Sequence, residues 1–140
     1  RDLSYTTSDL TVDEIKALKG VGIKVKRDTN KTETITVPTG FITDLASVPR
    51  AMWWAIAPFD VARAAIIHDL LYKTIRQYRW KMKDTEDKDL VANAKKAADK
   101  VFLLGMHDAH PKVAKWKIYS SWKAVDLFGK GSIVPNEDNI

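Results

Sequence analysis

No cysteine occurs anywhere in this chain. That excludes disulfides and thiolate metal sites, so a bound metal would need imidazole and carboxylate ligands. No apolar run approaches the roughly 20 residues that cross a bilayer, and a membrane span is not expected. The opening stretch RDLSYTTSDL lacks the apolar core of a secretory signal, so secretion by that route is not expected either. The phosphate-cradling patterns GxGxxG and GxxxxGK(S/T) do not occur, and neither does the GxSxG elbow of serine hydrolases. There is no internal repeat and no low-complexity tract.

What is present is the composition of one ordinary globular domain: 140 residues, 45% hydrophobic and 29% charged. Lys and Arg exceed Asp and Glu by 23 to 18, a net charge of +5. The excess favours acidic partners only mildly. Basic residues mix with aromatics at Lys73–Lys83 (KTIRQYRWKMK) and Lys112–Lys123 (KVAKWKIYSSWK). Such mixtures either grip a phosphate backbone and stack bases, or form amphipathic helices with Lys stems lying over apolar surface.

Residues 1–10 are polar and without period, which suggests an extended arm. Thr11 and Glu14 have the spacing of a capping box for a short helix through Leu18, ended by Gly20. VGIKVKRD and TETITVP alternate apolar and polar residues around the turn sequence DTNK, predicting a β-hairpin, with Phe41 and Ile42 as a third short strand. Ser47 is placed to cap a helix carrying Trp53, Trp54 and Ile56, with Pro49 in its first turn. Asp60 is expected to cap the next helix, Val61 to about Tyr78, whose AAIIHDLLY segment is apolar nearly all round and therefore central. A third helix carries Leu90, Val91, Ala94, Ala97, Ala98, Val101 and Phe102 on one face. A fourth, from near Pro111 to Gly129, is expected to turn Val113, Trp116, Tyr119, Trp122 and Val125 inward. The fold class is thus α+β: a small antiparallel sheet, hairpin plus short strand, on a three- to four-helix core. The domain spans 11–129, with the arm before it and a tail at 130–140.

His68 and Asp69 sit in the most apolar helix, where a charge is costly unless paired or bound to metal. Tyr72 lies one turn on, on the face of His68. A histidine, a carboxylate and a phenol in one buried helix suit proton transfer or metal ligation; they also suit a polar cluster that anchors the helix. Asp99 interrupts the third helix beside its apolar stripe. If that helix packs antiparallel to the His68 helix, Asp99 orients the His68 imidazole; otherwise it is a surface partner for Lys95 or Lys96. Asp44 precedes a helix cap, where its carboxylate would reach a metal, the first-turn amides or Arg50. His107, Asp108 and His110 fall in a helix-ending loop without fixed metal-ligand spacing.

Taken together, VPTGFITDLASVPR, ARAAIIHDLLY, ADKVFLLGM and WKAVDLFG resemble domain-of-unknown-function family 1353, over roughly Val37 to Gly129. That family is found in tailed phages and prophages. The resemblance implies a phage origin, a virion- or tail-associated role, other virion proteins as partners, and a location in the particle or in the host cytoplasm during assembly. HDLLY also resembles the His-Asp helix of secreted and viral phospholipases. By that likeness His68 would be the base, Asp69 a calcium ligand, and Asp99 with Tyr72 the orienting pair. The disulfides and glycine-rich calcium loop of those enzymes are absent. Two functions follow: a structural or interaction component of a phage particle, or a small hydrolase of envelope lipid or peptidoglycan, assisted by calcium or zinc at Asp69 and Asp44. Nucleic-acid binding is a lesser third.

Overall fold

The computed structural model describes residues 3–28, 32–38, 41, 59–83, 85–108, 114–137 and 140. Its elements are β1 (Leu3–Thr7), α1 (Val12–Gly20), β2 (Val25–Arg27), β3 (Glu33–Val37), α2 (Phe59–Met82), α3 (Lys88–His107) and α4 (Lys115–Phe128), then a 3-10 turn at Gly131–Ile133. Among the described residues, four helices beside a three-stranded antiparallel sheet give the α+β class expected.

The β2–β3 hairpin forms as its alternation predicts, with Val25 opposite Ile35. The third strand is not at Phe41. It is β1, from the segment read as a free arm, paired antiparallel along β3 in the order β1-β3-β2. Polar Ser4 and Thr6 point out and Leu3 and Tyr5 lean in, so a half-buried edge strand has the composition of an arm. Ile35 and Val37 carry the buried face of β3. Between β1 and β2, the Thr11–Glu14 capping box starts α1 as its sequence indicates. Gly20 lies within that helix, not after it. The turn is made at Gly22, whose φ of 106° disfavours any side chain.

Helix α2 is the central element. Asp60, expected as its cap, falls inside it, and it continues to Met82 before Lys83 stops it at a positive φ of 45°. Ala64, Ile67, His68, Leu71, Tyr72, Ile75 and Arg76 recur at three- and four-residue steps and are all buried. Asp87 caps α3, accepting from the Leu90 amide at 3.1 Å. The two helices run antiparallel, since Ala64 lies against Gly105, His68 against Phe102 and Tyr78 against Asp87. A Cβ at Gly105 would stand 2.8 Å from that of Ala64, so glycine sets how closely α2 and α3 approach. The apolar face read for α3 is its buried face: Val91, Ala94, Ala97, Ala98, Val101 and Phe102.

The inward face of α4 differs from the expected one. Ile118, Ser121 and Val125 are buried and Trp122 packs beside them, whereas Trp116 and Tyr119 are 65% and 60% exposed. Steps of three lag a full turn by about 60° each, so 116, 119, 122 and 125 wind around the helix. Only 118, 121, 122 and 125 stay on one side. The tail is docked as well. Arg76 donates to the Ser132 carbonyl at 3.0 Å, Arg79 to that of Ile133 at 2.8 Å, and Ile133 is buried.

The segment holding Gly40, Ile42, Asp44, Ser47, Pro49, Arg50, Trp53, Trp54 and Ile56 lies outside the described residues, as do His110, Pro111 and Val113.

Candidate polar centre between the helices

Three helices bring six groups together. On α2, His68 and Tyr72 are one turn apart, with ring centroids 4.0 Å from each other. On α3, Lys95 and Asp99 repeat that spacing and face them. Oδ1 of Asp99 lies 2.9 Å from His68 Nε2 and accepts the Tyr72 hydroxyl at 2.5 Å. Its Oδ2 accepts Lys95 Nζ at 2.7 Å. The same ammonium donates to the Val125 and Asp126 carbonyls near the end of α4, at 3.0 and 3.4 Å. Those carbonyls form the negative end of the helix dipole, which suits a buried cation. Gly129 closes the cluster: a Cβ there would collide with the Tyr72 hydroxyl and the Val125 carbonyl.

Burial is deep. Asp99 is 1% exposed, and His68 and Lys95 are each 6% exposed. Burial alone pushes the Asp99 carboxyl up, but the bonds from His68, Lys95 and Tyr72 more than offset it and hold it below its ordinary value. Burial, then the charge and acceptor of Asp99, push the Tyr72 phenol well above its ordinary value, so Tyr72 keeps its proton and donates it. The Lys95 ammonium balances the ionised Asp99. Because Asp99 can only accept, the hydrogen-bond network assigns the His68 tautomer: Nε2 carries the proton, and in the neutral ring Nδ1 holds the lone pair. Phe102, with its ring centroid 5.0 Å from that of His68, forms an apolar wall on the imidazole.

Of the residues singled out by sequence, His68, Tyr72 and Asp99 therefore meet. Asp99 lies against the His68 ring and pairs with Lys95 as well, in the interior and not on the surface. Asp69 is buried one step round α2 and is engaged in an interaction of its own. Among the described residues no three His, Asp or Glu side chains converge as metal ligands. His107 belongs to α3 and Asp108 is its C-cap, where it accepts the Tyr5 hydroxyl at 2.7 Å and ties β1 to the helix end. Arg76 and Arg79, from the basic-aromatic run on α2, are committed to carbonyls of their own chain. No helix among the described residues is long and apolar enough to cross a membrane.

Lys95 as a buried neutraliser and Gly129 as a packing requirement went unread in the sequence. The available signal was spacing: Lys95 and Asp99 stand four apart, the ion-pair step, on the flank of an alanine-rich stripe.

Compared with family models, residues 21–125 match the one described as "Protein of unknown function (DUF1353)". No curated protein and no solved structure matches the chain.

Proposed function

We infer that this chain, which belongs to the DUF1353 family, is a small hydrolase with His68 as its general base. One observation carries the reading: Asp99 Oδ1 lies 2.9 Å from His68 Nε2 within a carboxylate site already neutralised by Lys95. Holding helices together requires no ions, because apolar residues of similar volume serve as well or better. A buried carboxylate whose bonds fix one imidazole tautomer has the form of a base with its orienting partner.

In the reaction this supports, Nδ1 takes a proton from water as the oxygen bonds to a substrate carbonyl carbon. The carbon–leaving-group bond then breaks, and the proton passes from Nδ1 to the leaving oxygen or nitrogen. Asp99 remains ionised throughout and stabilises the imidazolium. Envelope lipid or peptidoglycan of the bacterial host is the substrate class. A calcium or zinc ion, if bound, would be held by Asp69 and Asp44 and would polarise the carbonyl; no proton step depends on it.

The test is hydrolysis of phospholipid vesicles and of purified peptidoglycan, with and without added calcium or zinc. His68→Gln is expected to abolish turnover while leaving the far-ultraviolet dichroism unchanged. Asp99→Asn is expected to lower kcat roughly 100-fold or more. Turnover of neither substrate by the wild type would end this reading.

A second reading has its own support, since Lys95 pins α3 to the end of α4 and so serves architecture. In it the chain is a virion- or tail-associated structural protein, located in the particle or in the host cytoplasm during assembly, with other virion proteins as partners. Mass spectrometry of purified particles separates the two: a stoichiometric subunit without hydrolytic activity favours the second.

A further inference from the structure

Strand β2 starts at Val25, opposite Ile35, so it covers only part of β3. Thr36 and Val37 continue β3 and pair with Ser4 and Leu3 of β1 on one side. On the other side the chain before β2 has turned away. The Ile23 amide donates to the Leu18 carbonyl at 3.0 Å, which draws this segment back to the end of α1. Gly22 makes the turn against α2, where Thr74 Cγ2 lies 3.7 Å from the place its Cβ would take. The parting of β2 from β3 leaves a cleft of about 830 Å³, bordered by both strands and by α2. Small-ligand sites occupy roughly 300–1,000 Å³. The inner wall is apolar, with Ile23 and Ile35 buried and Leu70 half-buried. Lys19, Lys24 and Lys26 line it from the exposed side. Among the described residues no carboxylate lines the cleft, and none of these three lysines is in an ion pair.

We propose that this cleft binds a single-chain anionic amphiphile, a fatty acid or a lysophospholipid, with its chain along Ile23, Ile35 and Leu70 and its headgroup at the three lysines. Each half of the cleft argues against a simpler occupant. A neutral apolar molecule would make no use of three unpaired ammonium groups that no acid answers. A small anion or a nucleic-acid backbone would meet the lysines by charge alone and leave the apolar wall unused. The lysine stems lie over apolar surface while their ammonium groups stay in water, so they can reach a headgroup at the mouth without being buried. The cleft is distinct from the polar centre. At about 100° per residue, Leu70 and Thr74 lie on the side of α2 roughly opposite His68 and Tyr72. Binding here therefore does not depend on the hydrolytic reading.

The experiment is isothermal titration calorimetry of the full chain with dodecanoate, lauroyl lysophosphatidylglycerol, hexanoate and monolaurin, each below its micelle concentration. One or both of the long-chain anions are expected to bind. Dodecanoate alone would identify a free fatty acid as the source, and the lysolipid alone a lysophospholipid. Hexanoate, which lacks chain length, and monolaurin, which lacks charge, are expected to bind roughly tenfold or more weakly. Lys24→Glu with Lys26→Glu is expected to weaken the long-chain anion roughly tenfold or more, with unchanged dichroism showing the fold intact. His68→Gln is expected to bind as the wild type does. The proposal is overturned if neither long-chain anion binds, or if the lysine pair can be reversed without effect. It is equally overturned if hexanoate or monolaurin matches dodecanoate, since charge or apolar contact alone would then account for binding. Loss of binding in His68→Gln would place the amphiphile at the polar centre and overturn the cleft, whereas failure of hydrolysis alone leaves it standing.

Discussion

Replacing Asp99 with alanine tests the buried centre most directly. The substitution strands three donors at once: His68 Nε2, the Tyr72 hydroxyl and Lys95 Nζ. The phenol and the imidazole each lose an acceptor in a buried site, at about 1–3 kcal/mol per stranded group. Lys95 loses its counter-ion and keeps only the helix-end carbonyls. Breaking a buried ion pair by removing one partner costs about 3–5 kcal/mol. These contributions overlap, so about 4–6 kcal/mol is expected for Asp99→Ala, enough to unfold many domains that are stable by about 5–15 kcal/mol. Urea denaturation of wild type, Asp99→Ala, Lys95→Met and the double variant measures it. With both charges removed no ion is left buried alone, and the double variant should cost about 2 kcal/mol less than the sum of the single ones. A loss below about 1 kcal/mol for Asp99→Ala, or strictly additive losses, would mean that Lys95 and Asp99 do not form a buried pair, and the assignment of the orienting carboxylate would fail with it.

Acid and alkaline limbs of stability should be separable. Asp99 and Glu14 are held below their ordinary values of 3.8 and 4.5, so their contribution is complete above those values and lost as pH falls below them. Tyr72 and Tyr5 are raised above 10.0, so theirs is complete below pH 10 and lost above it; Tyr72→Phe should flatten part of the alkaline limb in pH-dependent thermal melts. Gly129→Ala should cost about 1–3 kcal/mol in urea by driving a methyl into the Tyr72 hydroxyl, and should shift the His68 ring signals in NMR spectra. Phe102→Ala, at a fully buried site beside His68, should cost about 3–5 kcal/mol. Lys83→Gly should stabilise by up to about 1 kcal/mol, because glycine takes the positive φ there without penalty.

The sequence was most informative where a single local rule decided the outcome. Thr11 and Glu14 meet each other three residues apart, and the alternation around Ile35 needs only a neighbouring strand, so the capping box and the hairpin could be read directly. The α3 stripe was legible because Val91 to Phe102 keeps helical period throughout. The Asp99–His68 contact was legible as a conditional: the two meet provided α2 and α3 run antiparallel, which they do. What escaped depended on long-range partners. Leu3–Thr7 becomes a strand only because β3 offers an edge, and the tail docks only because Arg76 and Arg79 reach its carbonyls. Lys95 looked like an ordinary helical lysine, since nothing local reports that the end of α4 arrives over it. The α4 face was misassigned because aromatic bulk suggests burial, while its position on the helix directs Trp116 outward.

The order in which the polar centre's parts leave the ribosome gives it a further consequence. His68 and Tyr72 emerge first and Asp99 later, but the carbonyls that enclose Lys95, and the glycine that leaves room for Tyr72, are translated last. A nascent chain paused before α4 holds an ammonium ion on the flank of an apolar helix with only part of its final shell. Until residues 125–129 are present that ammonium has water in place of the Val125 and Asp126 carbonyls, so the centre is complete only once the end of α4 has been made.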